Sequence, residues 1–240
     1  MAESAKKQQR KRRTLQWFDI LFLTVILWGE GIYSSTLAYL FLLQGETTID
    51  DNLTFTAVDD YRALAVQLVL LLAALVYLKL RNFDFRTWHI RFSVKAVLWG
   101  GVLFLAAALL MDVYTMATAG IADRLPFPSP VSAFLLNTQV SSVIYALFNG
   151  FYEELYFLGI CLAVAPRQRK WAVLFSLLVR VSFHTYQGMS SAVGIGIVFG
   201  LFMYLMYRRS KTKNLLPFFI AHAIADIFGL GILWMFGINL

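Results

Sequence analysis

Two adjacent glutamates, Glu153 and Glu154, interrupt a stretch of the chain that is otherwise apolar enough to span a membrane. A charged side chain at the centre of a bilayer costs at least about 2.5–3.5 kcal/mol on insertion scales, so an ionisable residue there marks a functional site by default. One carboxylate also makes it harder for its neighbour to ionise, which suits a group that exchanges protons. The pair therefore predicts a site of proton-transfer chemistry.

Two further pairs of polar side chains lie in the apolar stretches that follow. Arg180 and His184 are four residues apart, as are His222 and Asp226, so the members of each pair share one face of a helix. Counting about 1.5 Å per residue from the nearest basic cluster puts the two glutamates, His184 and Asp226 about 20 Å into the membrane and His222 one turn lower. A common depth favours one shared site over independent packing features.

Hydrolysis is the chemistry that suits these groups best. A glutamate can take a proton from water, and a histidine can orient that water or pass a proton to a leaving amine. Hydrogen-bond donors then stabilise the oxyanion of the scissile carbonyl. Two alternatives stay open, because the same residue types bind zinc and also relay protons in transporters. A transporter would need paired repeats and broken helices, and neither is clear in this sequence.

The elements that carry these residues are predicted to be membrane-spanning helices. The chain has 240 residues, of which 59% are hydrophobic, which is too apolar for a soluble domain of that length. Without a cleaved signal peptide, an all-α bundle of about seven transmembrane helices is expected. The apolar stretches long enough to span are 17–43, 61–80, 94–118, 138–165, 170–187, 190–207 and 214–238.

The net charge of +7 is a topology signal. Most of the 21 Lys and Arg residues precede the first stretch or lie in the loops after the second, fourth and sixth. Since cytoplasmic loops carry this excess, we expect the N-terminus in the cytoplasm and the C-terminus outside. The basic tail of residues 1–16 sets this orientation, and it could also touch anionic lipid headgroups. The distribution gives no reason to expect a nucleic-acid partner.

The loops and one small-residue stripe leave two interpretations open. Residues 44–60 are acidic and polar and are expected to be solvated, whereas a span cannot continue through the prolines of 119–137. The latter segment is either a connecting loop or partly re-entrant. Ala192, Gly196 and Gly200 let another helix approach closely. Packing within the bundle is the plainer interpretation of this stripe, and homodimerisation is the alternative.

Four single residues complete the polar inventory. The lone cysteine, Cys161, excludes an internal disulfide and is expected to be buried and inert. Asn149 precedes Glu153 by one turn and could hold it. Glu30 and Asp112 lie about 25 Å from their cytoplasmic ends, near the outer interface. We expect them to be solvated there; otherwise they would line a polar entrance.

Three short patterns resemble the motifs of the CAAX protease and bacteriocin-processing family, which includes the type II CAAX prenyl endopeptidases and the bacterial Abi proteins. The family's first motif, EExxxR followed by Gly, is similar to EELYFLG at 153–159. The second, FxxxH, is similar to RVSFH at 180–184, and the third, HxxxN or HxxxD, to HAIAD at 222–226 after the lead-in LLPFFIAHA. Order and spacing agree.

The resemblance implies that residues 130–240 form an intramembrane protease core, preceded by transmembrane helices in residues 17–129. Such a protein would hydrolyse a peptide bond in a membrane-associated or lipid-anchored peptide or protein, in contact with the lipid bilayer. Prenylated CAAX peptides belong to the eukaryotic and archaeal branch. This compact chain is more similar to the bacterial members, for which peptide-pheromone or bacteriocin maturation and self-immunity in the plasma membrane are expected.

The resemblance also implies a role for each motif residue. Glu153 would be the general base that activates water, with His184 beside it, and Glu154 would orient the site. His222 and Asp226 would bind the oxyanion. This mechanism requires no cofactor. On the older metalloprotease view of the family, Glu154, His184, His222 and Asp226 would instead contribute to a zinc site.

Two residues depart from the family pattern. Leu158 stands in place of the motif arginine, and Arg180 in place of the motif phenylalanine. We interpret these as linked, with Arg180 supplying from the next helix the positive charge that Glu154 would otherwise lack. The alternative is a relative that has lost catalysis and acts as a scaffold or regulator of a partner membrane protein. Because an ionised Asp226 only accepts hydrogen bonds, it would act on an oxyanion through His222 or in its protonated form.

Overall fold

Helices form all the regular secondary structure that the structure describes. The computed structural model describes residues 14–45, 56–122, 124–125 and 139–233, and no strand occurs within them. Most of the basic tail and of the proline-containing loop therefore lie outside the described residues. The helices of the first half are α1 (Trp17–Leu43), α2 (Ala57–Leu80) and α3 (Val94–Ala122).

Residues 139–233 contain four further α-helices, one followed directly by a π-helical turn and one interrupted by another. They are α4 (Val140–Glu154), α5 (Arg169–His184), α6 (Met189–Arg209) and α7 (Leu216–Phe228). α4 runs directly into a first π segment, Leu155–Ile160, and α6 contains a second π segment, Gly194–Phe199. π turns are frequent at functional sites, and the first follows the glutamate pair without a break.

The all-α membrane fold is as expected, although the number of spans stays a prediction. Among the described residues four helices, α1, α2, α3 and α6, are long and apolar enough to cross a membrane. Large apolar side chains are exposed on their outer faces, among them Val25, Leu72 and Leu98. Exposed apolar area of this extent is what a lipid-facing surface has. The cytoplasmic position of the N-terminus also stays a prediction.

Two expected boundaries are wrong. α2 begins at Ala57, four residues earlier than predicted, because Thr56 and Asp59 form a capping box. Asp60 is consequently buried and accepts hydrogen bonds from Ser141 and Ser142, both at 2.8 Å, rather than being solvated in a loop. At the other end of the chain α7 stops at Phe228, where Gly229 adopts φ +81°. The remainder of the predicted last span is not helical from Gly229 to Ile232, and 234–238 lie outside the described residues.

The expectation that Asp112 is solvated is also wrong. Asp112 is buried, and its Oδ2 accepts hydrogen bonds from the backbone N–H groups of Ile232 at 3.0 Å and Leu233 at 3.2 Å. The chain after α7 therefore folds back onto α3 and uses this carboxylate to satisfy its backbone donors. Glu30 is exposed, and its position in solvent stays a prediction.

The basic loops meet at one end of the bundle. Leu15, just before α1, donates its backbone N–H to Ala163 in the α4–α5 loop at 2.6 Å. His89, between α2 and α3, accepts from Leu215 at the start of α7 at 2.8 Å. Each bond joins two segments that carry or adjoin Lys and Arg clusters, and residues of all four segments line one cavity, as the positive-inside argument expects. We call this the basic end of the bundle.

Glycines bring α7 against its two neighbours. A Cβ atom on Gly150 of α4 would lie 2.6 Å from the Phe219 carbonyl oxygen and 2.7 Å from the Ala223 nitrogen. A Cβ on Gly100 of α3 would lie 2.7 Å from Cγ2 of Ile220. Only residues without a side chain permit this approach, and it places one face of α7 against the C-terminal end of α4. The glutamate pair and the last motif are carried on these two surfaces.

The small-residue stripe of α6 packs within the chain. A Cβ on Gly196 would overlap Val181 of α5, and one on Gly200 would lie 2.9 Å from Leu177. Ala192 is fully buried. The stripe therefore brings α6 close to α5, so packing within the bundle accounts for it. Separately, Cys161 is buried, as expected.

Candidate active site

Glu154 joins three helices through one carboxylate oxygen. Its Oε1 accepts a hydrogen bond from Nη2 of Arg180 on α5 at 2.7 Å. The same oxygen lies 2.7 Å from Nδ1 of His222 on α7. Glu154 is 0% exposed, so this ionic contact is shielded from water. The geometry fixes the ends of α4, α5 and α7 relative to one another.

Arg180 supplies the positive charge beside Glu154 that the two motif departures led us to expect. Its guanidinium is buried and lies over the rings of Phe157 at 4.0 Å and Phe199 at 5.4 Å. An aromatic face attracts a cation and stabilises it where water is excluded. Leu158, which stands at the motif arginine position, is buried in the first π segment and lines a cavity at the basic end instead.

Glu153 has a different environment from its neighbour. Its Oε1 accepts a hydrogen bond from Nδ2 of Asn149 at 3.1 Å. Its Oε2 is buried, has no hydrogen-bond partner among the described residues, and lies 3.6 Å from Nε2 of His222. Buried polar atoms are rarely left without a partner. Oε2 of Glu154 also has no partner among the described residues, but Oε2 of Glu153 is the one that lies near Nε2 of His222, so it is suited to bind a reacting water.

Asn149 connects Glu153 to Asp226. The amide Nδ2 that donates to Glu153 also donates to Oδ2 of Asp226 at 2.9 Å. The other oxygen of Asp226 lies 3.5 Å from Nε2 of His222. The Asp226 side chain is 25% exposed, against 4% for Glu153 and His222. The group of side chains is therefore most accessible on the Asp226 side.

The contacts of His222 define where its protons belong. Because the carboxylate of Glu154 can only accept, we assign a proton to Nδ1 of His222. Its Nε2 faces oxygens of both Glu153 and Asp226, which attract a second proton. Three carboxyl groups then face one guanidinium and one imidazolium, leaving one negative charge in excess. Such a group of side chains can take up one further proton and become neutral.

His184 lies one turn from Arg180 on α5 and is tied to it. Its Nδ1 is 2.8 Å from the Arg180 carbonyl oxygen, so we assign the proton to Nδ1 and a lone pair to Nε2. Its ring packs on Phe183 with centroids 4.2 Å apart. No hydrogen bond joins His184 to Glu153 among the described residues. The structure brings His184 to the site through its helix and not through direct contact with the expected base.

Sequence reasoning missed Gln67 of α2. Its Nε2 donates to Oδ1 of Asn149 at 2.7 Å and lies 3.5 Å from the hydroxyl of Tyr145. Because Gln67 donates to Oδ1 of Asn149, the Asn149 amide is held with Nδ2 toward Glu153 and Asp226. The signal in the sequence was a single amide inside an otherwise apolar span, and it did not show which helix the amide would meet.

The residues named as zinc ligands make contacts within the protein that compete with a metal ion, and the zinc site stays a prediction. Across the described ranges no group of three His, Cys, Asp or Glu side chains is arranged to hold one. The shared oxygen of Glu154 is taken by Arg180 and His222, and Nδ1 of His184 by a carbonyl. The Arg180 guanidinium lies next to Glu154, where a zinc ion bound by Glu154 would otherwise lie.

Fold and site together define a polytopic helical membrane protein with a buried group of carboxylate, imidazole and guanidinium side chains. Residues 134–228 match the family model described as Rce1-like, type II CAAX prenyl endopeptidase. This match confirms the family resemblance drawn from the motifs, over the segment that contains all three of them. The family implies a CAAX-type intramembrane endopeptidase. No curated protein and no solved structure matches the chain.

Proposed function

We propose that the protein is an intramembrane endopeptidase of the glutamate type, with Glu153 as the general base. The observation that supports this most directly is the buried Oε2 of Glu153, which has no partner among the described residues and lies 3.6 Å from Nε2 of His222. A base and a hydrogen-bond donor then face the same small space. That is the arrangement needed to activate water next to a carbonyl group.

The first step is attack by water. Oε2 of Glu153 takes a proton from the water as the water oxygen bonds to the carbonyl carbon, and the carbonyl π electrons move to its oxygen. His222 donates its Nε2 proton to that oxyanion in a hydrogen bond. The C–N bond then breaks, and the proton held by Glu153 passes to the leaving amine. The products are a carboxylic acid and an amine, with Glu153 restored.

The remaining residues position these two groups. Glu154 and Arg180 hold the proton of His222 on Nδ1, which leaves Nε2 for the oxyanion. Asp226 stabilises the imidazolium form of His222 and, through Asn149, keeps the Glu153 carboxylate in place. The lone pair that His184 keeps on Nε2 can accept a hydrogen bond from the attacking water.

The proposed substrate is a peptide or protein held in the membrane. The site lies among apolar helices and is most accessible beside Asp226, so a substrate would reach it from within or along the bilayer. A lipid-anchored peptide suits this position, and the maturation of a peptide pheromone or bacteriocin, or self-immunity, in a bacterial plasma membrane is the proposed setting. A scaffold without catalysis is the competing function.

The test compares wild type with E153Q and H184A, and with E30Q as a control for an exposed carboxyl group on α1. Purified proteins in lipid nanodiscs are given quenched fluorogenic peptides with and without a prenyl group, and new N-termini are identified in membranes of expressing cells. We expect E153Q to lose cleavage by about 10²–10⁴-fold, the range for a general base, and E30Q to retain it. Identical N-termini for wild type and E153Q would establish the scaffold function instead.

Treatment with a chelator tests separately whether cleavage requires a metal ion. Because Glu154 is paired with Arg180, we expect 1,10-phenanthroline and EDTA to leave the cleavage rate of the wild type unchanged. The measurement is the initial rate after dialysis against each chelator. Loss of activity that zinc restores would contradict the glutamate-type mechanism.

A further inference from the structure

A cavity of about 390 Å³ opens at the basic end of the bundle. One wall is apolar and aromatic and includes Trp88, Leu158, Leu162 and Tyr204. Thr14 and Thr87 also line it, and its remaining lining includes the cations Arg169, Arg208 and Lys213. The proposed catalytic residues do not line this cavity, although Leu158 lies only one turn after Glu154.

The three cations have no acidic partner among the described residues. Other basic groups are paired: Arg81 binds Asp19 at 2.7 Å, and Arg86 binds Asp84 at 2.9 Å. No aspartate or glutamate is among the residues that line the cavity. Three positive charges therefore face one space that holds no described counter-charge. Their mutual repulsion favours an anion between them.

Lys213 shows that the three charges are close enough to interact. Burial, followed by the charges of Arg169 and Arg208, lowers the pKa of the Lys213 ammonium. Its Nζ donates to the carbonyl oxygens of Tyr207 at 3.0 Å and Arg208 at 2.6 Å, which leaves one N–H of the ammonium for a ligand. The backbone of Lys213 adopts φ +51°, which is uncommon for a residue other than glycine, and its ammonium reaches back to the last turn of α6.

Aromatic residues place the cavity at headgroup depth. Trp and Tyr concentrate at membrane–water interfaces, and Trp88, Tyr204 and Tyr207 all line this space. Trp88 is held by a hydrogen bond from its Nε1 to the Gly159 carbonyl oxygen at 3.1 Å. An occupant therefore needs an anionic group for the three cations and an apolar body for the wall.

We propose that this cavity is a binding site for an anionic phospholipid, whose phosphate contacts Arg169, Arg208 and Lys213 and whose acyl chain lies along Leu158 and Leu162. A lipid from the adjoining leaflet meets both requirements at the depth where the cavity opens. The site does not depend on proteolysis, so it stands or falls separately from the proposed catalytic function. It attaches a structural lipid to the segments that follow α4 and α6.

The test measures lipid binding in the inactive variant E153Q, so that cleavage cannot affect the result. Detergent-purified protein is titrated with phosphatidylglycerol or phosphatidylcholine, and bound lipid is counted by native mass spectrometry alongside the thermal unfolding temperature. We expect phosphatidylglycerol to be retained and stabilising. R169Q/R208Q should weaken its binding at least tenfold, whereas the control K170Q/R209Q should change it less than twofold, because the neighbouring positions do not line the cavity.

A second variant controls for loss of binding through misfolding. Lys213→Gly removes a cation at a backbone conformation that glycine adopts freely, and it should also weaken phosphatidylglycerol binding. Equal losses in R169Q/R208Q and K170Q/R209Q would overturn the site in favour of general surface charge. Equal retention of both lipids by the parent protein would overturn it too. A matching stabilisation by inorganic phosphate alone would identify a soluble anion as the ligand and overturn the lipid proposal.

Discussion

Glu153 and Glu154 are neighbours in the chain and both contact His222, but their other partners differ. Glu154 shares Oε1 between Arg180 and His222, whereas Glu153 accepts from Asn149 and has its Oε2 3.6 Å from Nε2 of His222. Adjacent residues on a helix point about 100° apart, and among the described residues only Glu154 forms an ion pair with Arg180 of α5. We therefore expect one glutamate to be needed mainly for the assembly of the site and the other mainly for its chemistry.

Substituting each glutamate by glutamine should separate these roles. E153Q can keep the oxygen that accepts from Asn149 and leaves the ion pair of Glu154 with Arg180 intact, so the unfolding temperature in detergent should stay within a few degrees of wild type while cleavage is lost. E154Q leaves the Arg180 guanidinium buried without its counter-ion and should lower the unfolding temperature strongly. Circular dichroism melting in detergent provides the measurement. Equal melting temperatures for the two variants would contradict the assignment.

The exchange of Leu158 and Arg180 relative to the family motif makes its own prediction. Arg180→Phe removes one partner of a buried ion pair and should destabilise the fold by about 3–5 kcal/mol. Adding Leu158→Arg should restore part of the lost stability and activity. Arg180→Lys is the control: it keeps the charge but loses the planar contact with the Phe157 ring, so an intermediate effect is expected. A double variant no better than Arg180→Phe would contradict the exchange.

At the residue level the sequence was informative wherever helical spacing alone decides which side chains share a face. The i, i+4 spacing alone predicted that His222 shares a helix face with Asp226, and Arg180 with His184. Gln67 was not, because its contact with Asn149 depends on how α2 packs against α4. Asp112 was assigned to solvent from its depth, and no sequence pattern shows that the chain after α7 returns to it.

Among the elements, the contact between α4 and α7 controls the distance between the glutamates and the last motif. Gly150 is the residue that permits this contact, since the Phe219 carbonyl oxygen would lie 2.6 Å from an added Cβ. The sequence search for small residues found the stripe in α6 but not this glycine. A single glycine in an apolar span has no spacing that identifies its partner.

Gly150→Ala should force the two helices apart and destabilise the protein by about 1–3 kcal/mol, the usual range for an overpacked core. Cleavage should fall as well, because His222 moves away from Glu153. Gly101→Ala is the matched control on α3, where an added Cβ meets no atom within 4 Å. Denaturation in detergent and the cleavage rate are measured for both. A Gly150→Ala protein that is as stable and active as Gly101→Ala would contradict the argument.

α2 contributes to the site although it precedes the matched residues 134–228. Gln67→Leu should leave Asn149 free to turn, lower kcat several-fold, and alter the pH profile of cleavage, because Asn149 holds both Glu153 and Asp226. Leu68→Ala, on the exposed side of the same helix, should leave both unchanged. If Gln67→Leu only changes stability and leaves the pH profile intact, its role is structural.

For the whole molecule, the expected orientation rests on the basic end facing the cytoplasm. The hydrogen bonds of Leu15 and His89 hold the basic loops together at that end, but the side of the membrane follows only from the positive-inside argument. In a Cys161→Ala background, we expect Gln44→Cys to react with a membrane-impermeant maleimide on intact cells and Lys211→Cys to react only after permeabilisation. The reverse pattern would invert the topology.

The N-terminal helices and the matched region pack as one structure. Tyr152 of α4 donates to the Leu27 carbonyl oxygen of α1 at 2.8 Å. The ring of Trp28 stacks on that of Phe183 of α5 with centroids 4.2 Å apart. The boundary between residues 129 and 130 stays a prediction about where the sequence resemblance begins. The contacts of α1 show that it forms part of the core around the site.

The first π segment, Leu155–Ile160, acts as a one-residue insertion that the helix has absorbed. Its hydrogen bonds skip one residue more than those of an α-helix, as in the bond of 2.8 Å from the Cys161 nitrogen to the Tyr156 oxygen. In a regular α-helix an extra residue would rotate everything after it by about 100° relative to Glu154. The wider π turn takes up that residue locally, so the segment that leads to the basic loop at Arg169 keeps its orientation relative to the carboxylates, and a sequence one residue shorter at this turn could present the same faces with a regular α-helix.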